Sequence, residues 1–345
     1  MAYTTISKPT DYFNTKLYTG NGSTNAQTGV GFQPDFTWIK SRSNTYSNTL
    51  TDAVRGVTKH NASNSSNAEY TSTTEITSFN SDGFTVGTDA GVNNSSSTFA
   101  SWNWKAGTTG SGTSSGSGTG KAYSYSVSTT SGFSIVKYTG NGTAGHTIPH
   151  HLGAVPKMII TKNLGRGEHW RVYHSSIGNA NKLSLNNVTP SASATEWNST
   201  TPTSSVFSIG TGEQINYNDD NYIAYCFAAV PGFSAMGSYT GNQLTNGPFI
   251  YTGFKPAFIL SKKINGDSDW YIFDSKREGY NIDNDTLLAN QTNAEPTTNY
   301  LDIFSNGYKV RTGDGDVNTN NGTYAYMAFA EEPLVSTNGV AATAR

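Results

Sequence analysis

Acidic and amide side chains alternate through Asp314-Gly315-Asp316-Val317-Asn318-Thr319-Asn320. Oxygen ligands at alternate positions suit a hard cation such as calcium. An EF-hand loop would carry Gly at its sixth position and Glu at its twelfth, where this chain has Thr319 and Ala325. A lectin-like calcium loop and a polar hairpin loop both stay open for the segment. His146, His150, His151, His169 and His174 crowd one part of the sequence. On strands, His150 and His151 point to opposite faces, and so do His169 and His174, so a metal site would need ligands converging from separate strands. Gly112-Thr113-Ser114-Ser115-Gly116 matches the G-x-S-x-G of serine hydrolases. That elbow needs a strand before it and a helix after it, whereas this copy lies in a low-complexity tract and reads as linker. Asp52-Ala53-Val54-Arg55 and Asp274-Ser275-Lys276-Arg277 share Asp-x-x-Arg, and His174 and Ile177 stand at the matching places between them. The pattern suits a turn closed by an ion pair better than a catalytic pair. Glycoside hydrolysis needs paired carboxylates, and no acid recurs at the same place throughout. The chain is therefore not expected to be an enzyme. No catalytic residue, metal ligand or cofactor is assigned, and the binding residues are unknown.

The elements that would position these residues come in triplicate. Tyr18-Thr19-Gly20-Asn21 recurs as Tyr138-Thr139-Gly140-Asn141 and Tyr239-Thr240-Gly241-Asn242. Each copy is followed by a Pro and, six residues later, a Lys: Pro34 and Lys40, Pro156 and Lys162, Pro256 and Lys262. Each closes with an aromatic segment, Phe99–Trp104, Tyr222–Phe227 and Tyr324–Phe329. Internal repeats of this length mean tandem domains of about 100 residues. Within each, Phe36-Thr37-Trp38-Ile39, Met158-Ile159-Ile160-Thr161 and Phe258-Ile259-Leu260-Ser261 are nearly continuous apolar runs, which predicts strands covered on both faces. The preceding Pro starts each run without breaking it. Phe133–Tyr138 alternates, as does Asn14–Tyr18 more weakly. Asp82-Gly83 and Asn306-Gly307 are hairpin turn signals. Trp170 and Trp270 occupy the same repeat position and read as core. The expectation is an all-β protein of three tandem antiparallel β-sandwich, jelly-roll-like modules with six or seven strands each. Their bounds are 1–106, 121–231 and 232–345. Residues 107–120, GTTGSGTSSGSGTG, read as a flexible Gly/Ser/Thr linker that tethers the first module loosely.

Composition narrows the function. The 345 residues carry 22 Lys+Arg and 24 Asp+Glu, a net charge of −2. This excludes a polybasic nucleic-acid binder. Only 13% of residues are charged and 12% are aromatic, which excludes a highly charged disordered chain. Cys226 is the single cysteine, so neither an intrachain disulfide nor a cysteine-based zinc site is available. Met1–Ile6 has neither the basic nor the apolar region of a secretory signal, and no apolar run is long enough to insert in a membrane. The expectation is a soluble protein made in a cytoplasm.

Tyr18–Gly22 and Tyr138–Gly142 (Tyr-Thr-Gly-Asn-Gly), Gly31–Lys40, Ser204–Phe207 and Asn221–Ala228 stand out as a set. Together they resemble the tail-fibre or virion structural proteins of tailed bacteriophages, especially aquatic ones. The third copy departs at Gln243-Leu244, which affects one loop. The resemblance covers almost the whole chain, but its motifs are turns and core strands, so no active residue carries over. It implies a virion component built in the host cytoplasm, a tail fibre or spike that attaches to the host surface without catalysis. By analogy it implies a homo-oligomer, a trimer, with other virion proteins and a host surface glycan as partners. A capsid decoration or head fibre is the first alternative, and a polysaccharide-degrading virion enzyme the second.

Overall fold

A computed structural model describes residues 4–277, 281 and 283–342. The chain is all-β, in three antiparallel sandwich modules. In the first, Phe13–Thr19 pairs with Thr98–Trp104, and Thr98–Trp104 pairs with Phe36–Ser41. Thr49–Asp52, Lys59–Ala62 and Tyr70–Thr71 extend that sheet. The opposite sheet is Asn25–Thr28, Gly83–Val86 and Ile76–Asn80. The same order returns in Phe133–Thr139, Asn221–Phe227, Met158–Asn163, Arg171–His174 and Asn181–Ser184. It returns again in Ser234–Thr240, Thr323–Pro333, Phe254–Lys263, Trp270–Asp274 and Leu287–Leu288. Two-residue strands such as Tyr70–Thr71 and Ala192–Ser193 raise the strand number above six or seven per module. Both hairpins form, but Ser81-Asp82 and Ser305-Asn306 are their loops and each glycine opens the returning strand, pairing Asn80 with Gly83 and Phe304 with Gly307. Asp82 also holds a neighbouring loop, because its carboxylate accepts from the Gly29 and Gly31 N–H groups at 2.9 and 2.7 Å. Pro256 differs from Pro34 and Pro156 in lying inside a strand, at an interruption of register between Lys255 and Phe258. Such a bulge tolerates a residue that cannot donate.

The expected flexible linker is corrected by the fold. Thr108–Thr113 is an edge strand paired with Ala122–Ser128, and Ser115–Gly116 pairs with His146–Pro149. Gly110 lies opposite Tyr125 and Gly112 opposite Tyr123. A Cβ at Gly110 would stand 2.6 Å from the Tyr125 hydroxyl, and one at Gly112 would stand 2.7 Å from that of Tyr123. Gly110 and Gly112 are there because aromatic rings lie across them, while Gly107, Gly116 and Gly118 take the left-handed φ of turns. The first module is consequently not loosely tethered.

Strands Phe36–Ser41 and Met158–Asn163 are buried along their whole length, and the reason is a second layer of packing. Alternate residues serve different cores. Ile39 and Ile159 face the sandwich interiors of their own modules. Phe36, Trp38, Met158 and Ile160 face a core shared by all three modules. At its centre the last aromatics of the three closing segments form a triangle. Ring centroids lie 6.4 Å apart for Trp104–Phe227, 5.7 Å for Trp104–Phe329 and 5.9 Å for Phe227–Phe329. Equivalent polar contacts run round this axis. Trp170 Nε1 of the second module donates to Ala62 O of the first at 3.0 Å, and Trp270 Nε1 of the third donates to Ser184 O of the second at 2.9 Å. Asn48, at the matching position of the first, donates to Leu288 O of the third at 3.1 Å. The modules close a ring with approximate internal three-fold symmetry. The two tryptophans are core residues whose indole N–H groups cross module borders.

Candidate functional site

The repeated motifs build the fold. The hydroxyls of Tyr18, Tyr138 and Tyr239 donate to Val92 O, Ile215 O and Val317 O at 2.7, 2.8 and 2.9 Å. These carbonyls belong to the one-turn helices Ala90–Asn93, Glu213–Asn216 and Gly315–Asn318. The same rings stack on Phe99, Tyr222 and Tyr324, with centroids 5.1, 5.1 and 4.8 Å apart. The next backbone N–H groups, of Asn21, Asn141 and Asn242, donate to the side-chain oxygens of Asn93, Asn216 and Asn318 at 3.0, 2.8 and 2.8 Å. The amide nitrogens of those buried asparagines donate to Gly87 O, Gly210 O and Thr312 O. Sequence reasoning missed this asparagine, although it stands six residues before Phe99, Tyr222 and Tyr324 in the three copies.

Lys40, Lys162 and Lys262 are also buried. Their ammonium groups donate to backbone carbonyls. Lys40 reaches Tyr46 O and Thr292 O, Lys162 reaches Asn163 O and Arg166 O, and Lys262 reaches Val188 O and Lys263 O. Desolvation disfavours the charged form and pulls each down to about 8. Two of them tie modules together, since Thr292 and Val188 lie in the neighbour.

The residues with chemical potential are dispersed. Ser114 of the G-x-S-x-G match is buried on a strand-to-strand turn. Its hydroxyl lies 2.7 Å from His146 Nε2 and 2.8 Å from Lys121 O, and His146 Nδ1 meets Ser117 O at 3.0 Å. This Ser–His contact closes the turn onto strand His146–Pro149. His150 is held by Thr203 O and the Leu152 N–H, and His169 by Asn186. His151, with φ 59°, stacks on Tyr125 at 3.8 Å. His174 donates to Tyr326 O of the third module at 3.1 Å. Asp314 caps its short helix at the Asp316 N–H, and Asp316 accepts from Tyr271. Among the described residues no group of three or more His, Cys, Asp or Glu stands together to hold a metal ion. Asp52–Arg55 and Asp274–Arg277 form buried ion pairs, as the turn reading expects. Both face the neighbouring module, where Tyr225 donates to Asp52 at 2.9 Å and Trp102 to Asp274 at 3.0 Å. Burial pushes the Cys226 thiol up.

Two features present in only one module lie on the surface. Phe249 and Tyr251, on the outer sheet of the third module, are 46% and 61% exposed. Two residues apart on a strand, they share one face, beside Lys309 and above Phe304. The matching positions are Ala26 and Thr28 in the first module and Thr147 and Pro149 in the second. The second module has a hollow of about 530 Å³ lined by Lys182, Ser193, Thr195, Glu196, Gly212 and Gln214. Glu196 Oε1 receives Lys182 Nζ at 2.5 Å. Arg171 Nε stands 3.1 Å from the same oxygen, an ion pair whose angle is too poor for a hydrogen bond. Gln214 donates to Glu168 at 2.7 Å.

Residues 8–333 match the family model described as Domain of unknown function (DUF7483). No curated protein and no solved structure matches the chain.

Proposed function

For this chain, which belongs to the DUF7483 family, we propose a role as a bacteriophage virion structural protein, a tail-fibre or spike component that binds the host cell surface without catalysis. The observation that carries the reading is the division between repeated and unrepeated residues. The repeated Tyr, Gly, Asn and Lys positions are hydrogen-bonded inside the fold, while Phe249 and Tyr251 stand exposed where the other modules have small or polar residues. A rigid scaffold that displays local aromatic and polar differences is the design of a binding surface. Aromatic rings give contact area at low entropic cost, and Ser, Asn and Gly give adaptable hydrogen bonds. The resemblance of Tyr18–Gly22 and Tyr138–Gly142 to phage tail-fibre proteins supports the virion setting. Other virion proteins and a host surface glycan are the partners under this reading.

The test is localisation, with gold-labelled antibody against this chain on intact particles. Label on the tail or its fibres, followed by inhibition of adsorption with free protein, is the expected result. Label over the head would replace the reading with a capsid decoration. Particles without label would remove the virion assignment.

A further inference from the structure

We infer that the hollow beside Glu196 is a binding site for a neutral saccharide residue; the inference rests on the surface-binding reading above and gives it a place on the molecule. The argument comes from comparing the same location in the first two modules. Glu75 and Glu196 are equivalent, because their carbonyls accept from Gly87 N and Gly210 N, the matching residues of the two copies. His60 and Lys182 are equivalent by strand register, and so are the residues opposite them, Tyr70 and Ala192. In the first module the location is plugged from within the chain. Tyr70 lays its ring against His60 and donates its hydroxyl to Glu75 at 3.1 Å. In the second module Ala192 stands where that tyrosine stood, and an open hollow lies against Lys182 and Glu196, the counterparts of the two residues the tyrosine touches. Glu196 is retained and its side chain is only 6% exposed. Among the described residues its Oε2 makes no hydrogen bond, since both cations lie on Oε1. The vacant position is thus that of a hydroxyl-bearing ring whose hydroxyl donates to a carboxylate.

The chemistry of the lining selects the class. Glu196 and Gln214 offer acceptors, and Lys182, Ser193 and Thr195 offer donors, all within one hollow. Arg171 and Lys182 are balanced by Glu196 and Glu168, so the site favours neither an anion nor a cation. Interleaved donors and acceptors around a neutral centre match the vicinal hydroxyls of a sugar ring. The volume of about 530 Å³ lies in the range of small-molecule sites.

The test is ligand-observed saturation-transfer NMR on the full chain, with methyl glycosides of glucose, galactose, mannose, rhamnose and N-acetylglucosamine as probes. Ala192→Tyr rebuilds the plug of the first module. Glu196→Gln keeps the shape and removes the charged acceptor. At least one glycoside should bind the wild-type chain, with binding lost in A192Y and weakened about tenfold in E196Q, the worth of one charge-assisted hydrogen bond. No transfer from any glycoside to the wild type, or binding by A192Y and E196Q as strong as that of the wild type, would overturn the site. A cooperative urea transition checks that each variant folds, with a lower midpoint expected in E196Q because Arg171 and Lys182 lose their carboxylate, and E196Q decides the matter if A192Y does not fold. Adsorption separates this inference from the one beneath it. If A192Y blocks phage adsorption as well as the wild type, the hollow is not the host contact although the surface-binding reading stands. If the wild type binds glycosides but does not block adsorption, the site stands and the host-attachment reading falls.

Discussion

Trp102 donates its indole N–H to the Asp274 carboxylate at 3.0 Å, across 172 residues of sequence. The contact joins the first module to the third and closes the ring. The same carboxylate accepts from Arg277 Nε at 2.6 Å, and that guanidinium is buried and also pairs with Glu295. Asp274→Ala removes the main countercharge of a buried cation and the partner of a buried indole. Breaking such a pair costs about 3–5 kcal/mol, and the lower end is expected because Glu295 remains. Urea unfolding followed by tryptophan fluorescence should show a lower midpoint. Far-UV circular dichroism should give the same midpoint, because the core it protects is common to the three modules. A midpoint equal to the wild type would show that ring closure does not depend on this contact.

The glycine of the Tyr-Thr-Gly-Asn motif is there for close approach. A Cβ at Gly20, Gly140 or Gly241 would lie 2.2, 2.3 or 2.4 Å from the carbonyl oxygens of Asn94, Tyr217 and Thr319. Backbone atoms cannot swing away as a flexible side chain does. Gly→Ala at any of the three should destabilise by about 1–3 kcal/mol, the range for overpacking. Gly165 is the control. Its φ is not in the left-handed region, and its nearest neighbour would be 3.8 Å away. Gly165→Ala should stay within about 0.5 kcal/mol of wild type. Thermal melts of the four variants side by side decide it.

Much of the module was legible in the residues, and the ring was not. Alternation, Asp82-Gly83 and Asn306-Gly307 mark strands and turns because those signals are local. Trp170 reads as core, but its partner Ala62 O lies in another module, and nothing in either segment names the other. One signal was available. A sandwich strand needs cover on one face only, so the uninterrupted run Phe36–Ile39 already called for a second layer outside its own module. Lys40 obscured that signal, because a lysine is usually exposed and here it is held by carbonyls in the interior. The tract 107–120 misled because glycine facing an aromatic across a strand has the same composition as glycine in a linker. The hollow was illegible because Ser193, Thr195, Glu196, Gly212 and Gln214, which line it beside Lys182, lie in segments that share no motif.

Buried histidines carry much of the acid response. Burial lowers His60, His150 and His174 from 6.5 to about 4. A base whose folded pKa is depressed contributes stability that is present above 6.5 and is lost as pH falls through 4. Each such shift corresponds to a loss on the order of 3 kcal/mol. Glu75 opposes them in the same window. Burial raises it from 4.5 to about 7, so its contribution is present below 4.5 and is lost as pH rises through 7. His146 and His151 are lowered by burial as well, and Asp35 and Asp316 are raised by it; the lowered histidines outnumber the raised carboxylates, and stability should climb between pH 4 and 6.5. His174→Gln should flatten that slope in urea midpoints measured across the window, since a glutamine cannot acquire the charge. An unchanged slope would mean that His174 does not titrate with unfolding.

The edge strand Thr108–Thr113 gives the sharpest contrast between a linker and a structural element. A linker accepts almost any substitution, since none of its side chains touches anything. Here Gly110 and Gly112 are covered by Tyr125 and Tyr123, and Tyr125 in turn stacks on His151 at 3.8 Å. Gly110→Val places a branched side chain where the phenol ring of Tyr125 lies, and the cheapest relief is to detach the strand from Ala122–Ser128. Loss of the strand would expose its backbone amides while the rest of the sheet persists, because an edge strand has only one neighbour. Hydrogen exchange read by mass spectrometry on peptides covering 107–121 should show wild-type protection and loss of it in G110V. Protection of Asn221–Phe227, in the middle of the same sheet, should be unchanged. Rapid exchange of 107–121 already in the wild type would restore the linker reading.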